Sequence, residues 1–218
     1  MVAFEEIFRQ GGAAAVKDSF GFFQNGAMLH SAFIQITCAL NMCGIPYAIV
    51  DDAALTVYGA EGAREKLSIL VTEKGLQDIW ANSHEFDLDE HNVKTDFHVT
   101  GRFPGDGKPK PVAFPDPSDC TVNIDGIDYI TLEKLVELKL ASGMTGAGRL
   151  KDLADAQELI KARMLGEEFS EKLNPYVREK YLELWRDAAN DTNPQGQMRA
   201  VARGRKTGAE TGYDGAFA

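Results

Sequence analysis

An α/β fold, a small sheet flanked by helices and continued by a helical carboxy-terminal half, is what this sequence predicts, and three observations predict it. Short β-forming runs alternate with helical apolar spacing as far as residue 130, and beyond it the three-and-four spacing of helices dominates. A length of 218 residues with 44% hydrophobic content is enough to bury one good core. The chain divides into an amino-terminal helical extension over 1–28, an α/β core over 29–130, a helical continuation of the same domain over 131–186 and a flexible polar tail over 187–218.

In the extension, Gly11-Gly12 and Gly26 punctuate apolar stretches around Phe20, Phe22 and Phe23. From His30 to Cys43, the spacing of Phe33, Ile36, Leu40 and Cys43 predicts an amphipathic helix stopped by Gly44. The run from Pro46 to Val50 is short and rich in β-formers, so it predicts a buried strand. Asp51-Asp52 opens a short helix through Tyr58, Leu67 to Thr72 reads as a second strand, and a helix follows from about Gly75 to Ala81.

Val93 to Val99 alternates with a period of two, which makes a half-buried strand and places Asp96 and His98 on one face. Residues 101–119 hold five of the eight prolines and three glycines, the composition of an ordered irregular excursion. Thr121–Ile124 and Ile127–Ile130 flank Asp125-Gly126, a hairpin signal. Helical spacing then runs through Leu132, Leu135, Val136 and Leu140, through Leu150, Leu153, Ala154 and Leu159, and through Tyr176, Tyr181, Leu184 and Trp185.

The charge balance, 33 acids against 23 bases, gives a net −10. That disfavours a broad nucleic-acid surface, which needs clustered Lys and Arg. No apolar run reaches the roughly 20 residues that span a bilayer, and the amino terminus lacks the layout of an export signal, so no membrane association and a cytoplasmic location are expected. Cys38, Cys43 and Cys120 are too few and irregular for a disulfide framework or zinc site and are expected to be free, mostly buried thiols.

Several constellations invite chemistry. His84, His91 and His98 with Asp87, Asp89 and Glu90 hold metal-ligand residue types, but a spacing of seven fits neither a helix turn nor a strand face, and a solvated acidic loop is the reading preferred. GDGK at 105–108 lacks the Gly spacing and following Ser or Thr of a phosphate loop, so a turn is expected. Arg199, Arg203, Arg205 and Lys206 form a basic cluster in the tail, where a protein partner could dock. A solvated tail is the simpler expectation.

The stretches GIPYAIVDDAALTVYG, SILVTEKGL, VKTDFHVTGRFPGDGKPKPVAFPDPSD and ITLEKLVELKLASGMTGAGRLKDLADAQELIKAR resemble a bacterial family of small nucleotidyltransferase-like proteins. That family is distantly similar to abortive-infection toxin transferases of toxin-antitoxin systems, and the likeness runs from about Asn41 to Trp185. It implies a small mixed nucleotidyltransferase-type sheet, a glycine-containing pair closing the first strand, two acids spaced by one residue on the next strand, and a third acid on a neighbouring strand. Together these acids would hold Mg²⁺ against a nucleoside triphosphate.

Here the motif positions are altered while their spacing is kept. Asp51 and Asp52 stand for the glycine pair, Lys66 and Ser68 for the paired acids, and Asp96 alone survives of the carboxylates. Two acids beside a phosphate about 5 Å away would each cost about 1–3 kcal/mol. Lys66 is placed to pair with Asp96 in place of a metal.

By resemblance, Lys139 contacts the nucleotide and the set Arg149, Lys151, Asp152 and Asp155 belongs to the same group. Lys151 and Asp155 are also spaced as an ordinary helix-surface pair. The expectation is an inactive relative that serves as a binding, regulatory or assembly component, with no resident metal or cofactor. The alternative is an active or toxin-like transferase using Mg²⁺ and a nucleoside triphosphate to modify RNA, protein or a small hydroxyl compound. Asp51, Asp52 and Asp96 would form a relocated metal site in that case, provided their strands are adjacent.

Overall fold

A computed structural model describes residues 26–60, 66–82, 86 and 94–191. Most of the expected extension over 1–28, His84, His91 and the acids between them, and the tail beyond residue 191 with its four basic residues lie outside the described residues.

Helix α1 (Gly26–Met42) leads into β1 (Tyr47–Val50), α2 (Asp51–Val57), β2 (Lys66–Val71), α3 (Glu73–Ala81) and β3 (Lys94–Val99). After a long irregular segment ending in a 3₁₀ turn at Pro117–Asp119 come β4 (Thr121–Ile124) and β5 (Ile127–Ile130). The chain closes with α4 (Leu132–Thr145), α5 (Leu150–Ala162), a 3₁₀ segment at Glu167–Lys172 and α6 (Pro175–Asp191). The five strands form one mixed sheet in the order β3-β2-β1-β5-β4. β1 runs antiparallel to β2 and parallel to β5, while β2 and β3 are parallel.

Local chemistry explains the boundaries. Gly44 takes φ +63°, a conformation that costs glycine little, and its turn redirects the chain from α1 into β1. Thr72 caps α3 by accepting a hydrogen bond from the Gly75 amide, so that helix starts two residues before the expected Gly75. Asp125 and Gly126 both have positive φ, the geometry that a two-residue hairpin joining β4 to β5 requires.

The core is continuous between sheet and helical half. Tyr47, Ile49, Ile69 and Leu70 are buried in the sheet, and Leu135, Leu140, Leu159, Val177 and Tyr181 pack into the same cluster. The Tyr58 hydroxyl donates to the Ile130 carbonyl at 2.7 Å, tying the end of α2 to β5.

Two burial expectations are corrected. Cys120 is buried, but Cys38 and Cys43 are exposed, although all three are free. The inward stripe of α1 is Phe33, Ile36 and Leu40; Cys38 falls off that stripe, and Cys43 lies past the end of the helix. Leu150 opens α5 with 76% of its surface exposed instead of joining the core.

Candidate functional site

The period of two in the strands places Val50, Ser68 and Asp96 in one row across the sheet, with His98 two residues further along β3 on the same face. At the end of that row the chain turns sharply from β1 into α2. Asp51 makes this turn with φ +52°, a left-handed conformation uncommon for a residue with a side chain. The backbone there has the form a glycine adopts readily.

The helical half brings the opposing charges. Lys139 in α4 is only 5% exposed, and its ammonium lies 3.2 Å from Asp51, 3.0 Å from Asp152 and 2.9 Å from Asp155. Gly143 stands one turn beyond it, where a Cβ would come within 2.5 Å of Leu153. Its absence lets α5 approach α4 closely enough for those two acids to reach the lysine. The Ser142 hydroxyl donates to Asp152 at 2.6 Å. Lys151 adds an outer link, 3.3 Å from Asp52 and 3.1 Å from Asp155.

These contacts set the protonation states. Burial alone would raise the Asp51 carboxyl, but the hydrogen bond from His98 at 3.3 Å and the charge of Lys139 outweigh it and hold the group well below the usual carboxylate range. Burial would likewise lower Lys139, and the charges of Asp51, Asp152 and Asp155 reverse that and keep the ammonium protonated. Asp52, which is less well compensated, is raised by burial despite Lys151.

A second pair joins β2 and β3 on the same sheet face. Lys66 donates to Asp96, and both side chains are about one-third exposed. The Lys66 contact, followed by burial acting the other way, lowers the Asp96 carboxyl. Ser68, opposite Asp96 and two residues along β2 from Lys66, is buried, and among the described residues its hydroxyl has no hydrogen-bond partner.

The motif residues singled out from the sequence that fall among the described residues each have a definite place. Lys66 meets Asp96 as expected, and Lys139, Arg149, Lys151, Asp152 and Asp155 gather with Asp51 and Asp52 around one network. Asp51, Asp52 and Asp96 do not converge as a ligand set: His98 and Lys139, Lys151 and Lys66 engage them separately, and β2 separates the strands of Asp51 and Asp96. No group of three or more potential metal ligands occurs among the described residues. Asp51 and Asp52 are each paired by a lysine, Lys139 from α4 and Lys151 from α5.

Ser142 escaped the sequence reading, and His98 entered it without its role beside Asp51. Ser142 lies three residues after Lys139 on the same helix face, a spacing that could have flagged it. His98 had been grouped with His84 and His91, but its strand face, shared with Asp96, was the better guide. GDGK is a turn, as expected: Gly105 and Gly107 have positive φ, and Asp106 accepts from the Lys108 amide. The adjoining Lys110 is almost fully buried and binds the Pro104 carbonyl and Thr145, strapping this loop onto the end of α4.

Comparison with protein-family models, with curated proteins and with solved structures gives no match. Fold and site therefore rest on the chain's own geometry: a mixed five-stranded α/β sheet whose carboxylates are closed off by lysines.

Proposed function

We propose that this chain is a nucleotidyltransferase-fold protein that has lost nucleotidyl transfer and acts as a binding, regulatory or assembly component. The observation that carries the proposal is the Lys66–Asp96 pair with Ser68 beside it. Phosphoryl transfer needs oxygen ligands that hold a divalent ion against the polyphosphate. One carboxylate already bonded to an ammonium, with a serine in place of the second acid, does not fit Mg²⁺, because the lysine would sit beside the ion and repel it.

The helical half supports the same reading. A lysine that is to hold a nucleotide must have protons available for it, and all three contacts of Lys139 are with aspartates of its own chain. The network instead joins the end of β1 to α4 and α5, a structural duty that would outlast the loss of chemistry. The expected tail over 187–218 is corrected at its start, because α6 continues to Asp191 with Ala188 buried; the segment beyond it is the one we assign to a protein partner, on its basic cluster at Arg199, Arg203, Arg205 and Lys206.

Purified protein incubated with each labelled nucleoside triphosphate, Mg²⁺ or Mn²⁺ and cell extract should transfer no label. Incorporation that disappears on Asp96→Ala would overturn the proposal.

A further inference from the structure

A cleft of about 140 Å³ opens beside the network, between the end of β1, the loop carrying Phe103 and Phe114, and helices α4 and α5. Its size is close to that of a cavity that accepts a single benzene ring and below the few hundred Å³ of sites for larger ligands. Much of the wall is apolar, from Phe103, Phe114, Leu135 and Leu138. The His98 ring stacks on Phe114 with centroids 4.7 Å apart and planes 20° from parallel, making a flat platform.

The polar groups around the cleft are unequally committed. Lys139 is engaged by three aspartates, Asp51 by His98 and Lys139, and Asp152 by Lys139 and Ser142. Arg149 differs. Its side chain is 56% exposed, and its charged contact with Asp152 is long, at 3.6 Å. Its stem lies over Gly146, where a Cβ would come within 2.4 Å of the Arg149 Cγ. A guanidinium with donors to offer, placed at the mouth of a small apolar cleft, matches a planar carboxylate with a compact apolar body.

The geometry points to this cleft as a binding site for a small organic monocarboxylate, its carboxylate on Arg149 and its apolar body against Phe103 and Phe114. Arg149 balances one negative charge; a polyphosphate would press several against Asp51 and Asp152, which also line the cleft. The inference rests on the proposed loss of nucleotide chemistry, since it gives this place to a different ligand class.

Calorimetric titration of the full chain with benzoate tests it, with benzamide and benzylamine as neutral and cationic counterparts of the same size. Saturable benzoate binding is expected, about tenfold weaker for benzamide and for benzoate with the Arg149→Gln chain, which corresponds to one charge-assisted contact. Undiminished binding by Arg149→Gln, a preference for benzylamine, or no saturable benzoate binding would each overturn it. Label transfer in the triphosphate assay would instead sink the proposed function and leave the benzoate result standing by itself.

Discussion

Removing the Lys139 ammonium while keeping its bulk, as in Lys139→Met, tests how much of the fold depends on the central network. The side chain is 6% exposed, and its three oxygen contacts all lie within 3.2 Å. The variant would leave Asp152 and Asp155, each under 10% exposed, and the partly exposed Asp51 without their shared cation. Stripping one partner from a buried ion pair costs about 3–5 kcal/mol. Against a total stability of about 5–15 kcal/mol, that is a large fraction. In urea the midpoint should fall by roughly 1.5–2.5 M at a slope of about 2 kcal/mol/M. Adding Asp155→Asn to Lys139→Met should recover part of the loss, since one uncompensated charge goes. A loss under about 1 kcal/mol, the size of an exposed pair, would refute the view that this lysine is a buried structural hub.

Asp51→Asn removes a carboxyl held below its unfolded value, so its stabilisation is present above about pH 3.9 and lost as pH falls through the lower folded value. The variant should be about 1–3 kcal/mol less stable at pH 7 with a shallower acid limb, and an unchanged acid limb in denaturation curves would contradict the pairing with His98 and Lys139. Gly105→Ala should cost about 1–3 kcal/mol, because the position has φ +74° and a Cβ would meet Thr145 Oγ1 at 2.4 Å; thermal unfolding checks it. Lys66→Asp with Ser68→Asp places an acid pair beside Asp96. That double variant should be destabilised without metal and regain melting temperature with Mn²⁺, while the natural chain shows no such shift.

Much of the fold was legible because its elements are strongly patterned. The run Tyr47–Val50, the alternation through Val99 and the Asp125-Gly126 turn each identify their element locally, and the observed bounds differ by a residue or two. Strand order is not local: nothing in the sequence of β1 states that β2 lies on one side and β5 on the other. The Lys66–Asp96 pair could be anticipated because motif spacing brings both to neighbouring strands. The triple engagement of Lys139 could not, since it depends on how closely Gly143 lets α5 pack against α4 and on the left-handed turn at Asp51. Exposure of Leu150 and Cys43 was missed for a simpler reason: both keep the apolar spacing of their helices but stand at an end, where the core no longer reaches.

We propose that lysines stand where a nucleotidyltransferase would hold its divalent ion and nucleotide. Calorimetric titration of the natural chain with each nucleoside triphosphate in the presence and absence of Mg²⁺ tests it most directly. No saturable, Mg²⁺-dependent heat is expected. Tight Mg²⁺-dependent binding that vanishes in Asp96→Ala would contradict it.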